Sequence, residues 1–449
     1  MKKRTVIIGI IVIALIGFFT WRFIRPMNIF VVDDRFAWPV DTSQSPPVLG
    51  KLSAKDCAIC HQAFYDEWRT TIHSQAWTDP YFQTDWQFEG SEHTCRLCHT
   101  PLDRQQPHKV LGYRDKDKWN PILKDNPDFD PQLQHEGVTC AACHYRDGKI
   151  IGVLGNTNAP HPVQKLEDPN QVCVRCHIVE GERWDTFFRF PPCGTVAEIE
   201  STLATAPDKQ DMESLEKLMT AKDTDSENGS SVPFKIPGVD AITTGKSGEV
   251  TANNTRTLGC VQCHMPSIKR PLVEGGVVRD ARQHIWRGGN DPEMVKKALT
   301  IAFVEEKQAA KDKRVFRLTL ANTGAAHYVP TGTPDRHLTV HLRLLDKQGS
   351  VLDEQNYTII RTVMWRPFII DLWDTRLPRW KPRHYELEVP ADSGAVSVEA
   401  EIRYHLLAEE RRQRIGYENK TPINYEVFRK QLLLQAGPLQ ADSKDTAYE

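Results

Sequence analysis

The sequence predicts an α+β chain: an N-terminal transmembrane helix, a mainly helical and irregular domain carrying repeated cysteine-histidine motifs, and a C-terminal antiparallel β-sandwich-like domain. Three observations predict it. An apolar run from Val6 to Phe19 follows Lys2-Lys3-Arg4, the pattern Cys-x-x-Cys-His recurs five times between residues 57 and 264, and from about residue 299 the hydrophobic period becomes two. These shifts divide the chain into a signal anchor (1–25), a linker (26–54), the motif-bearing domain (55–298), the β-domain (299–410) and a C-terminal extension (411–449). The hydrophobic and charged fractions, 40% and 26%, exclude a disordered chain. A net charge of −2 provides no bulk field for nucleic acid.

The apolar run has the length of a signal peptide's central region and falls short of the roughly 20 residues of a bilayer span. No Ala-x-Ala-like cleavage site follows it, and Trp21, Phe23 and Arg25 are suited to a membrane interface. The reading is therefore an uncleaved, single-pass anchor in the cytoplasmic membrane, positive end inside, with the remaining domains in the periplasm. Residues 38–50, rich in Pro, Ser and Thr, then read as a stiff polar spacer.

The motifs are Cys57/Cys60/His61, Cys95/Cys98/His99, Cys140/Cys143/His144, Cys173/Cys176/His177 and Cys260/Cys263/His264. Cys-x-x-Cys-His is the c-type haem attachment signature: two thiols add across the vinyl groups and the histidine becomes the proximal iron ligand. Structural zinc needs paired half-sites and no histidine after the second cysteine, so five covalently attached haem c groups are expected. Haem attachment of this kind occurs outside the cytoplasmic membrane, in agreement with the anchor. Ten of the eleven cysteines are used, leaving Cys193 and no pair for a disulfide.

Of sixteen histidines, eleven lie outside the motifs, and five of these are candidate distal ligands. His73 follows an apolar stripe of Phe64, Trp68 and Ile72 that predicts a helix from Cys57. On a continuous helix it lies roughly 18 Å from His61, so it serves another iron or requires a helix break. His135 is tethered too closely to Cys140 to swing round that macrocycle and is expected to staple a neighbouring haem. His161 sits between Pro160 and Pro162 on a restricted loop. His284 precedes a glycine turn, and His327 lies on a loop between strands from which it reaches across to the haem domain. His93 is read as lying at its own haem's edge and His108 as exposed, while His341, His384 and His405 fall on the polar side of their strands. Cys193 opens a helix as Pro192-Cys193-Gly194, where a thiol tends towards thiolate and an iron ligand, although a plain buried thiol is the simpler reading.

Residues 101–134 read as a long loop, and Arg146-Asp147-Gly148 before Lys149 to Val153 as a hairpin. Val196, Ile199 and Leu203 mark one helix, and Met212, Leu215 and Met219 a second; residues 222–257 read as irregular surface. Alternation at Phe316 to Leu320, Leu338 to Leu344, Tyr385 to Val389 and Val396 to Tyr404 predicts the β-domain.

Cys57 to His61, the Trp68 to His73 segment, Gly137 to His144, Cys263-His264-Met265-Pro266 and the His327 to Gly332 loop together resemble a multihaem cytochrome c superfamily. It includes hydroxylamine oxidoreductase and its tetrahaem cytochrome partner, and the resemblance covers roughly residues 55–410. It implies bis-histidine irons in a closely packed row, with His73 as a distal ligand. Members with catalytic nitrite or tetrathionate sites often use Cys-x-x-Cys-Lys, a motif this sequence does not contain, which counts against those activities.

Two functions follow. The first is a membrane-anchored electron relay between a membrane or quinol-linked donor and a periplasmic acceptor, with redox proteins as partners. The second is a multihaem oxidoreductase with one open iron acting on a small nitrogen or sulfur compound. In either case the β-domain is suited to docking within a larger complex.

Overall fold

In the computed structural model the apolar run extends through Trp21 into one helix, Lys2–Ile24, long and apolar enough to cross a membrane. Its 23 residues rise about 34 Å, so the span is longer than the hydrophobic run alone indicates. The structure describes residues 2–434 except 26, 156, 182, 206, 224–258, 307–312 and 391–392. Beyond Asp223, the segment read as irregular surface lies outside the described residues.

The expected spacer is instead a strap laid along the motif-bearing body. Val31 forms a bridge with Glu180 and Val40 with Leu102, and Thr42 bonds Asp103. The reason is in its scattered apolar residues: Ala37, Val40 and Leu52 are buried in small cores with Leu97, Leu102 and Leu133. The loop predicted at 101–134 contains a hairpin, His108–Tyr113 paired with Pro121–Asp125. The hairpin after Arg146 forms as predicted, with Asp147 and Gly148 both at positive φ. The two predicted helices are Thr195–Ala204 and Lys209–Asp223.

Two antiparallel sheets make the C-terminal unit. Arg383–Pro390, Lys313–Asn322 and Leu299–Glu305 form one, in that order. Val351–Ile359, His337–Leu345, Ser397–His405 and Asn424–Leu433 form the other. Phe303, Phe316, Leu318 and Leu387 from the first sheet share one buried core with Val340, Leu342, Val398 and Ile402 from the second. This is the face-to-face packing expected of strands that alternate apolar with polar. Asn424–Leu433, read from sequence as part of an extension, is an edge strand paired to Ser397–His405 across a register shift. It carries Val427 into the core but breaks strict alternation, which hid it.

The sheets rest on the motif-bearing body through polar contacts. Arg411 bonds Asp85 and Glu89 at 2.5 and 2.6 Å, and the Tyr425 hydroxyl donates to the Gly289 carbonyl at 2.6 Å.

Candidate multihaem centre

All five motifs begin or lie within helical turns, and in each the histidine sits where the helical ladder breaks. It is the last residue of Arg96–His99, Cys140–His144, Gln171–His177 and Cys260–His264. In Ala54–Trp68 it is the kink, with His61 at φ −113° and ψ 42°. This helix ends at Trp68, well before His73, supplying the break that separates His73 from its own motif.

The thiols bring the motifs together. Cys57 lies beside Cys140, Cys98 beside Cys176, and Cys173 beside Cys260. Cys143 also lies within electrostatic range of Cys176. The first motif thus abuts the third, and the fourth abuts both the second and the fifth. Glu136 fastens the first of these contacts, accepting from Ser53 Oγ, the Ala54 N–H and Thr139 Oγ1. A carboxylate at a helix N-terminus is stabilised there by the exposed N–H groups.

Two predicted attachment thiols depart from this interior placement. Cys60 and Cys263 are exposed, whereas the other eight motif thiols are half-buried. The physical reason is their position: they belong to the first and fifth motifs, at two ends of the series of contacts, where the neighbouring motif meets only the first cysteine, Cys57 or Cys260. Cys60 follows Ile59, itself 83% exposed, so this turn of the helix turns an apolar side chain outward beside the thiol. An apolar surface next to an accessible thiol fits a haem edge, and both cysteines stay in the attachment set.

Two of the predicted distal histidines face motif histidines. The His144 and His284 ring centroids are 5.9 Å apart at 27°, and those of His264 and His327 are 6.4 Å apart at 17°. A metal–imidazole bond is about 2.0–2.1 Å, so two imidazoles on opposite sides of one metal have centroids roughly 6 Å apart. The tautomers fit as well. Nδ1 lies against a backbone carbonyl in His61 (Leu272), His99 (Ala76), His144 (Ile151) and His264 (Arg287). The same holds for His284 (Arg282) and His327 (Tyr328). Donation from Nδ1 leaves the Nε2 lone pair free for a metal and fixes the ring's orientation. Burial drives His284 and His327 down to about 4 and also lowers His99, His144 and His177, which keeps them neutral as ligation requires.

His73 is likewise lowered to about 4, by burial and then by His177, His264 and His99 around it. Trp286 stands between His73 and His284, 5.0 and 5.1 Å from their rings. The remaining two candidates are placed differently. His135 is exposed at the end of Pro131–His135, and the staple expected of it is made by Glu136, one residue on. His161 is partly exposed, with a long 3.4 Å contact from Nδ1 to Pro162. Neither faces a motif imidazole at the spacing of the two pairs among the described residues. His108 is exposed as read, while His93 is buried with Nε2 unpaired. His341 and His405 are half-buried, and only His384 is fully exposed.

Sequence reasoning missed Glu67. Its carboxylate takes both Nη atoms of Arg270 at 2.7 and 2.8 Å and the His284 N–H at 2.7 Å. Burial pushes this carboxyl up, but Arg270 and the His284 N–H outweigh it and hold it below the ordinary value. Its only signal was its helical position one residue before Trp68. Glu67→Gln is expected to lower stability by about 1.5–3 kcal/mol, the scale of a hydrogen bond to a charged group. It is also expected to broaden the low-spin signal of the third centre selectively, which electron paramagnetic resonance (EPR) reads.

Cys193 has φ +61° and lies in electrostatic range of Cys95 and Cys98. The expected drift towards thiolate is not found: the protein atoms crowded around it raise the thiol, as the simpler reading has it, although part of the side chain is open to solvent.

A penta-haem cytochrome c552 from Thermochromatium tepidum matches this structure with a TM-score of 0.54 over 86% of this chain and 99% of that one, at 18% identity. The two chains share a fold. A glycosyl hydrolase family 2 member from Bacteroides cellulosilyticus and the ApaA protein from Bordetella pertussis cover 30% and 31% of this chain with TM-scores of 0.15 and 0.17 and carry no argument. No protein-family model and no curated protein matches the chain.

Proposed function

We propose that this chain is a membrane-anchored periplasmic pentahaem c-type cytochrome. It relays electrons between a membrane or quinol-linked donor and a periplasmic acceptor. The observation that carries the reading is the contiguity of the five motifs through Cys57–Cys140, Cys98–Cys176 and Cys173–Cys260, with Cys143 beside Cys176. When bound, haem supplies a one-electron iron couple whose potential follows its axial ligands and burial. The chain's part would be to hold the groups in one contiguous set, branched at the fourth motif, and to supply histidines to their irons. His284 would supply a nitrogen to the third centre and His327 to the fifth, and His73 would be the donor in electrostatic range of His177. Backbone carbonyls at Nδ1 lock the His284 and His327 rings, so ligation needs no rearrangement on changing charge. The superfamily named above and the pentahaem neighbour agree with this reading.

Carbon monoxide tests it. The reduced protein is expected to show no spectral shift, because six-coordinate bis-histidine irons offer no open position. A shift supports the second reading, an oxidoreductase with one open iron. One observation favours that reading at the second centre: the ring stacked 3.6 Å from His99 is Phe82, and the side chain beside Cys95 and Cys98 is Cys193 rather than an imidazole.

A further inference from the structure

The last turns of Lys2–Ile24 are clamped to the body. Arg22 is fully buried; its Nη1 bonds Asp185 Oδ2 at 2.9 Å and its Nε donates to the Pro367 carbonyl at 2.9 Å. Arg366 donates to the Phe23 carbonyl. One turn earlier, the Phe18 and Phe19 rings each lie 6.5 Å from Phe368. Phe368 in turn touches Trp184 at 6.4 Å and Phe187 at 6.2 Å. Trp184 and Phe187 are 63% and 59% exposed, although large aromatic side chains are mostly buried on average.

Depth determines what covers them. At about 1.5 Å of rise per residue, Phe18 lies roughly 9 Å along the axis inside Ile24. A helix of 23 residues centred on a hydrocarbon core of about 30 Å places Phe18 and Phe19 roughly 6–8 Å inside its outer edge. Phe368 touches both rings, so it lies at the same depth, and Trp184 and Phe187 lie beside it. We infer that Trp184, Phe187 and Phe368 form a second membrane contact, seated just beneath the headgroups of the outer leaflet of the phospholipid bilayer that the helix crosses. This rests on the anchor reading in the proposed function. Aromatic rings favour the edge between hydrocarbon and headgroups, and Arg25, just past Ile24, stands at the headgroup level. The buried Arg22–Asp185 pair makes the contact stiff, so the motif-bearing body stands at one height and tilt above the bilayer instead of swinging on a tether.

The test uses the full-length, haem-loaded protein in phosphatidylcholine and phosphatidylglycerol vesicles carrying a phospholipid with a photoactivatable group near the headgroup. Cross-linked peptides are read by mass spectrometry. Peptides containing Trp184–Phe187 and Phe368 are expected to be labelled to the same degree as Trp21–Ile24. They are expected to exceed several-fold the peptide containing the exposed, distant Val351 and Leu352. In Trp184→Ser/Phe187→Ser, labelling of that segment is expected to fall while the helix stays labelled and the haem spectrum is retained. Labelled helix with the patch at the level of Val351–Leu352 overturns this inference and leaves the anchor standing. An unlabelled helix overturns both.

Discussion

His284→Ala is expected to convert one haem in five from low to high spin and to create a carbon monoxide site in a protein that otherwise has none. The effect should fall on the centre attached at Cys140 and Cys143, because the His284 ring faces His144 at 5.9 Å. The two rings in contact with it besides His144, Phe64 and Trp286 at 5.0 and 5.1 Å, have no lone pair to offer a metal. The change reaches beyond one bond. Loss of a strong nitrogen donor also raises the potential of that centre, and imidazole added to the solution is expected to restore the low-spin signal. EPR at low temperature measures both. A variant that keeps all its low-spin intensity would remove His284 from the ligand set.

The second large effect is on stability. Arg376 is 3% exposed and joins three elements: Glu198 on Thr195–Ala204 at 2.5 Å, Asp374 at 2.8 Å and the Pro330 carbonyl at 3.2 Å. Burial alone would depress this guanidinium, but Glu198 and Asp374 outweigh it and raise it, while Glu198 itself is raised chiefly by burial. Arg376→Ala strands the Glu198 carboxylate in a dry site, and breaking such a pair costs about 3–5 kcal/mol. The expected outcome is a lower urea midpoint by circular dichroism. Because Pro330 belongs to the His327 loop, partial high-spin character at the fifth centre should accompany it. Neutralising all three partners, Arg376→Met with Glu198→Leu and Asp374→Asn, is expected to recover most of the lost stability, since none of the three then carries an unpaired charge. An unchanged midpoint in Arg376→Ala would show that the network contributes nothing.

Covalent chemistry made the sequence legible where it dictates residue types at fixed spacing. The ten motif cysteines, the histidine after each pair, the N-terminal apolar helix and the period-two strands were all readable, because each is set by local rules. Spacing says nothing of depth, however, and Cys60 and Cys263 lie at the surface while the same position in the other motifs is half-buried. Two of the candidate ligands selected by loop context, His284 and His327, each face a motif histidine in the structure. His135 and His161 show the limit. Their loops looked equally suitable, but ligand placement depends on tertiary approach: His135 is exposed, His161 is partly exposed, and neither faces a motif imidazole among the described residues. Glu67 and Glu136 were illegible for a related reason. A carboxylate that braces a remote backbone leaves no local pattern, and their partners are 217 and 82 residues away in sequence. The strap at Val31 to Thr42 was mistaken for a spacer because its apolar residues are too sparse to show a period. Ala37 and Val40 nevertheless fill pockets in the body.

That the five motifs hold five six-coordinate haems in one contiguous set is tested most directly by a combined EPR and optical redox titration of the full-length protein. The account predicts five haems per chain, all low-spin when oxidised, titrating as several overlapping one-electron steps without a high-spin component. A persistent high-spin signal from one centre, or fewer than five haems per chain, would contradict it.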